Sequence, residues 1–196
     1  MSGKIAFIGT HGVGKTVLTF TVAARLRAAG VDADVAVEHS RRSPFPINEG
    51  TTLESQLWIL STQWQEELEA RRRTELVICD RAVIDNYAYL VRAFGEQPWL
   101  RAFLEHWSRT YDALFWVPIV DDEVTKDRMR STSRRFQRDI HERVGQLVES
   151  FGLSDRVTAL PQRRDEQMPL VLDTLRTRRL LPPKQGALFD GLDGAR

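Results

Sequence analysis

Apolar residues run without a break from Ile5 to Ile8, give way to glycine and polar residues over Gly9–Thr16, and return at Val17, Leu18, Phe20, Val22, Ala23 and Leu26. A short unbroken run suits a strand buried on both faces, whereas recurrence every three or four residues suits one face of a helix. The pattern predicts a strand over Lys4–Ile8 and a helix from Gly14 to Ala29, stopped by Gly30. The same two textures alternate down the chain. Ala33–Val37 reads as a second strand, followed by a loop, Ser43–Gly50, and a long helix from Thr52 to Arg73 with Thr51 or Thr52 as its N-cap. Glu75–Asp80 is the third predicted strand. Helices follow at Ala82–Phe94 and Pro98–Tyr111, the second opened by a proline in its first turn, and then a fourth strand, Ala113–Ile119. A charged stretch, Asp121–Arg138, merges into a helix lasting to Phe151. Arg156–Leu160 is a short fifth strand and Asp165–Arg179 a last helix. Alternating strands and helices predict a doubly wound α/β fold with a five-stranded parallel sheet. Residues 181–196, rich in Pro and Gly, are expected as a C-terminal surface tail.

Composition narrows the setting but not the partner. A chain of 196 residues, 42% hydrophobic, suits one well-filled domain. Its net charge of +1 exerts no global pull on nucleic acid or anionic lipid. The single cysteine, Cys79, lies in the apolar run Leu76–Cys79, so no disulfide framework exists and the thiol is expected to be buried. With no apolar leader and no stretch long enough to span a bilayer, the protein is expected to be cytoplasmic and to have no membrane partner.

The first turn carries the chemistry. Gly9-Thr10-His11-Gly12-Val13-Gly14-Lys15-Thr16 has the spacing of a phosphate-binding loop, whose backbone N–H groups wrap phosphate oxygens at a helix N-terminus. At average glycine usage such a match arises by accident in roughly one chain of this length in a hundred. The strand before it and the helix after it meet the required context. The third strand ends Cys79-Asp80-Arg81. Arginine cannot polarise water as a base, but it can clamp a phosphate or neutralise charge developing in phosphoryl transfer, so the pair fits a kinase better than a hydrolase. No Asn-Lys-x-Asp guanine signature occurs, which favours ATP over GTP.

The loop GTHGVGKT, the strand exit Glu38-His-Ser-Arg41, a helix carrying Gln56, Gln63 and Gln65, the pair Asp80-Arg81 with Asp85 and Tyr87-Ala-Tyr89 after it, and an arginine-rich segment before the last strand occur in this order. Together they resemble the phosphate-loop nucleoside and nucleotide kinases: the deoxynucleoside and thymidylate kinases, and especially the ribosylnicotinamide-kinase-like ATP-binding domains. The resemblance covers Lys4 to Arg179. It implies a three-layer P-loop NTPase fold in which residues 1–180 form one kinase domain, with an arginine-rich lid over residues 121–138. It also implies ATP with magnesium at the loop, and an acceptor across the C-terminal ends of the strands.

Roles follow residue by residue. Gly9 through Thr16 would bind the nucleotide, with Lys15 on the β- and γ-phosphates and the Thr16 hydroxyl on magnesium. Asp80 either takes the acceptor hydroxyl's proton or orients magnesium, the plainer alternative being an N-cap for the next helix. Glu38, at the neighbouring strand end, binds the acceptor or acts as the base itself, with Arg41 close by. Gln63 and Asp85 complete the acceptor side, and Arg81 is a catalytic candidate that clamps phosphate or neutralises its developing charge. Lys126–Arg138 carries six cations in thirteen residues, of which Arg128, Arg134 and Arg135 are the candidates for delivery to the transferring phosphoryl group. Trp58 and Trp64 share a helix with Gln56 and Gln63, so a base could stack on one while an amide reads its edge, core packing being the plainer alternative. Trp99, Trp107 and Trp116 are expected in the core. His106 and His141 are expected at the surface, and no His/Cys grouping has zinc spacing.

The reading that follows is a kinase acting on a nucleoside, nucleotide or ribosylnicotinamide-like acceptor. One alternative moves the acceptor into DNA, as a hydroxymethylated pyrimidine, with Arg41, Arg42, Arg71, Arg72, Arg73 and the lid cations as a phosphate track. Another is an ATP-dependent regulatory switch that performs no such transfer.

Overall fold

A computed structural model describes residues 3–47, 50–120 and 134–181. Five strands, β1 (Gly3–Ile8), β2 (Ala33–Ala36), β3 (Leu76–Asp80), β4 (Ala113–Trp116) and β5 (Val157–Ala159), alternate with six helices. These are α1 (Lys15–Ala28), α2 (Leu53–Arg73), α3 (Val83–Phe94), α4 (Pro98–Ser108), α5 (Arg134–Ser150) and α6 (Arg164–Thr177). The strands form one sheet in the order β2-β3-β1-β4-β5, all neighbours parallel.

Strand periodicity divides the core into two layers. Ile5 and Phe7 of β1, with Ile78 of β3 and Phe115 of β4, face α1 and α6 through Val22, Leu26, Val171 and Leu175. Ala6, Ile8, Val77, Cys79 and Leu114 face the other way, against Leu60 of α2, Ile84 and Leu90 of α3, Leu104 of α4 and Ile140 of α5. Burial on both faces is what the unbroken apolar runs require. Cys79 is fully buried, and burial together with nearby Glu67 pushes its thiol well above the usual range.

Parallel pairing sets Phe7 beside Asp80 and Ile8 beside Trp116, so the C-terminal ends of β1, β3 and β4 are level. Helix α2 is opened by a capping box in which the Thr52 side chain accepts from the Ser55 N–H at 3.2 Å and the Thr52 N–H donates to Ser55 Oγ at 2.9 Å.

Three expectations change. Strand β4 stops at Trp116, not Ile119, although the Val117 N–H still donates to the Ile8 carbonyl at 2.9 Å. Trp99 is 62% exposed: the buried face of α4 is Leu100, Leu104 and Ser108, four residues apart, and Trp99 lies off that face. His141 is half-buried, its Nε2 accepting from Trp116 Nε1 at 2.8 Å with the rings edge-on. Residues 121–133, with most of the expected lid, and the tail beyond Leu181 lie outside the described residues.

Candidate active site

The glycine loop is held from below by α3. Gly9 has φ of 131°, and a Cβ there would stand 2.9 Å from the Val117 carbonyl oxygen, so only glycine fits. Its N–H donates to Asp85 Oδ1 at 2.6 Å, while Asp85 Oδ2 accepts from the Ala82 N–H at 2.9 Å. One carboxylate thus ties the loop to the first turn of α3. Burial pushes the Asp85 carboxyl up, against the opposing pull of Lys15, Arg81 and the two N–H donors.

Lys15 is buried, its Nζ donating to the Gly9 carbonyl at 2.7 Å and to the Thr10 carbonyl. The ammonium is thereby held along the inner edge of the loop. Thr16 Oγ1 donates to Asp80 Oδ2 at 2.7 Å. Asp80 is 2% exposed and sits at the end of β3, and the cap of α3 is Ala82, served by Asp85. The N-cap alternative for Asp80 therefore falls away. The pair Thr16–Asp80 offers two oxygen donors side by side at the mouth of the loop, the hard-donor chemistry that magnesium takes. Among the described residues no cluster of three or more His, Cys, Asp or Glu competes for a metal.

Beside the loop opens a cavity lined by His11, Glu38, Ser40, Ile47, Gln56, Ile59, Arg81, Asn86 and Tyr89. Glu38 Oε1 accepts from the Ser40 N–H at 2.8 Å, and its Oε2 lies 4.0 Å from Arg81 Nε. Arg81 is 5% exposed and carries a positive φ of 83°, rare outside glycine. Burial opposes its charge, but Tyr89, Glu38 and Asp85 outweigh that and hold the guanidinium protonated. Its cation lies 5.5 Å from the Tyr89 ring centre. Tyr89 Oη in turn lies 3.0 Å from His11 Nδ1. Asn86 is 3% exposed, and its Nδ2 finds no hydrogen-bond partner among the described residues. A buried donor left unsatisfied is costly, so an amide in this state beside a cavity points to a ligand as the missing acceptor.

The fold brings together Gly9–Thr16, Glu38, Asp80, Arg81 and Asp85, as the sequence suggests. The other candidates are placed as follows. Gln63 is buried away from the cavity lining, its amide donating to Glu67 Oε1 at 3.0 Å and to the Arg81 carbonyl at 3.3 Å. Arg41 is exposed on a short 3-10 turn, Ser40–Arg42, and Arg134 and Arg135 are exposed on the first turn of α5. Arg128 lies outside the described residues. Sequence reasoning passed over Asn86 as a site residue, named Tyr89 without giving it a role, and gave Gln56 only the reading of a base edge. The signal was there: Asn86 and Tyr89, three apart, interrupt the apolar run of Val83–Leu90 on one face of α3. Arg164 was also missed; its guanidinium stands 3.9 Å from where a Gly14 Cβ would lie. Gln137 of α5 donates to the His11 carbonyl at 2.9 Å, tying α5 to the loop.

Fold and loop together define an α/β protein of the P-loop NTPase class. The chain belongs to the AAA domain family, whose model matches residues 4–164. No curated protein matches it. Among solved structures, NadR protein in complex with NR is similar at a TM-score of 0.75 and 16% identity, over 95% of this chain and 54% of that one. NadR protein in complex with NAD and AMP-PNP is similar at 0.71 and 14%, over 95% and 52%. This chain thus spans about half the length of those NadR chains. Thymidylate kinase from Ehrlichia chaffeensis matches at 0.61 and 18% identity, over 90% of this chain and 98% of that one. Deoxyadenosine kinase from M. mycoides with dCMP and dCDP bound matches at 0.64 and 12%, over 89% and 99%.

Proposed function

We propose that the protein is an ATP-dependent kinase that transfers the γ-phosphate to a hydroxyl of a nucleoside, nucleotide or ribosylnicotinamide-like acceptor. The observation that carries the reading is the cavity beside the glycine loop, in which Glu38, the buried Arg81 and the unsatisfied Asn86 amide face one space. An ATPase needs a water and something to activate it; this site instead has room and polar groups for a second substrate.

The division of labour follows from the contacts. The loop N–H groups and Lys15 would hold the triphosphate, with the ammonium leaving its two carbonyls for phosphate oxygens. Thr16 and Asp80 would hold magnesium, which when bound supplies charge neutralisation to the phosphates. Since Asp80 is committed to Thr16, Glu38 is the better placed base for the acceptor hydroxyl, and Arg81 balances charge on the oxygens between them. Gln56 and Asn86 present amides to the acceptor.

The polymer alternative has less support. Arg41 and Arg42 lie on the turn that follows the C-terminal end of β2, whereas Arg71–Arg73 end α2 just before the N-terminal end of β3, at the opposite edge of the parallel sheet. Arg73 is moreover occupied by Asp34 at 3.1 Å. The regulatory switch is tested by the same experiment as the kinase. Labelled ATP and magnesium are presented with nucleosides, nucleoside monophosphates, ribosylnicotinamide and DNA in turn, and transfer is counted. Transfer to one small-molecule class is expected. Binding of ATP without transfer to any of them would overturn the kinase reading in favour of the switch.

A further inference from the structure

Arg81 holds a positive-φ backbone conformation that is costly for any residue with a bulky side chain, so its surroundings must enforce it. The enforcing groups lie outside the cavity. On one side, Gln63 Nε2 reaches the Arg81 carbonyl at 3.3 Å; on the other, Tyr111 Oη accepts from the Val83 N–H at 3.1 Å. Both side chains are anchored on the same atom. Glu67 Oε1 accepts from Gln63 Nε2 at 3.0 Å and from the Tyr111 hydroxyl at 2.5 Å. Its second oxygen accepts from Lys4 Nζ at 2.7 Å and from Trp107 Nε1 at 2.8 Å. The Lys4 ammonium also lies 4.0 Å from the Tyr111 ring centre. Glu67 is 1% exposed, and an ion pair so buried does not in general add stability over an apolar replacement.

We infer that this network is a clamp on the turn Arg81–Ala82–Val83: Gln63 and Tyr111 are positioning residues that aim the Arg81 guanidinium at Glu38, with Glu67 as their common anchor. The inference rests on the kinase reading only for what the aimed guanidinium does, not for whether it is aimed. Two donors on one carboxylate oxygen fix both grips relative to each other, and a polar network with every member satisfied specifies geometry in a way apolar packing does not. Lys4 and Trp107 occupy the other oxygen and keep the carboxylate from turning.

The test reads the arginine directly. In isotope-labelled protein the Arg81 Nε–H resonance, assigned by its loss in Arg81→Lys, is followed for order parameter and for exchange with water. Tyr111→Phe removes one grip and keeps the ring; Gln63→Met removes the other and keeps the volume. Each is expected to raise exchange at Arg81 Nε–H at least tenfold and to lower its order parameter. A control, Leu104→Ala, destabilises the same core layer without touching the clamp, and there exchange is expected to rise only as far as it rises for the buried amides of β3. If the two clamp variants behave as that control does, with Arg81 moving only in step with global opening, the inference is overturned. Because no acceptor is needed, this failure is distinct from a failure to find phosphotransfer. Glu67→Gln, which leaves Lys4 buried beside a neutral partner, is a harsher variant and is not required for the decision.

Discussion

Lys15 donates to two loop carbonyls, and in doing so it holds in place the charge that a triphosphate would need. Replacing it with Ala removes that charge while the loop keeps its tie to α3 through Gly9 and Asp85. Charge-assisted hydrogen bonds contribute about 1.5–3 kcal/mol, so ATP affinity is expected to fall roughly ten- to hundredfold, and phosphotransfer to vanish. Calorimetric titration with a non-hydrolysable analogue checks the first, and melting of the unliganded variant near the wild-type temperature checks that the fold survives. The two acidic candidates separate in the same way. Glu38→Gln is expected to lower turnover by about 10²–10⁴-fold at unchanged ATP affinity, as the loss of a general base does. Asp80→Asn should instead raise the magnesium concentration needed for half-maximal rate. If Asp80→Asn leaves that requirement untouched while Glu38→Gln is nearly silent, the assignments must be exchanged. At this scale the sequence revealed groups with a fixed spacing or a strand-end position, such as Lys15, Thr16 and Asp80. It concealed those defined by what they lack. The spacing of Asn86 and Tyr89 marks a polar interruption on α3, but that the Asn86 amide is buried without an acceptor beside a cavity is visible only in the fold.

Elements were legible wherever one face is apolar throughout. The alternation in β1 and β3 sorts their side chains to opposite layers, and of the two threonines offered as the cap of α2 it is Thr52 that serves. Boundaries set by tertiary contact were less so: β4 ends at Trp116, and the Val117 carbonyl just beyond it leaves no room for a Cβ at Gly9. Joining β4 to α5 is the Trp116–His141 pair, and Gly145 makes room for it, since a Cβ there would lie 2.8 Å from the indole. Burial, with a smaller push from Lys15, lowers the His141 pKa below its usual 6.5. The neutral ring is therefore favoured by folding. A depressed histidine contributes its full stability above pH 6.5 and loses it as pH falls from there toward the folded value, where the unfolded chain binds the proton first. Wild type is thus expected to lose more melting temperature between pH 7 and pH 5 than His141→Gln, whose amide can still accept from Trp116. Parallel melting curves for the two across that range would contradict the assignment.

At the scale of the whole molecule, the net charge of +1 and the placement of the arginines among the described residues argue against a continuous cationic track for phosphates. Arg41 and Arg42 follow the C-terminal end of β2 and Arg71–Arg73 precede the N-terminal end of β3, so the two groups belong to opposite edges of the sheet and do not form a single patch. Duplex DNA is expected to elute at low salt, with a slope matching about two or three phosphate contacts. A steep slope would revive the polymer acceptor. The architecture itself was readable because it follows from alternation, which is local. The cavity was not, because it is assembled from β2, α2 and α3, and only the sheet order β2-β3-β1 sets Glu38 beside Arg81. Among the described residues no helix is long and apolar enough to cross a membrane.

The lone thiol of Cys79 turns the core into a clock. It is wholly enclosed in the middle of the sheet, so a thiol reagent in excess can reach it only while β3 is transiently open, and its labelling rate measures how often the molecule comes apart. A ligand that binds only the closed form slows that clock by one plus its concentration over Kd, about a hundredfold at a hundred times Kd. Any compound added to the protein can then be ranked as a partner by time alone, with no product to detect.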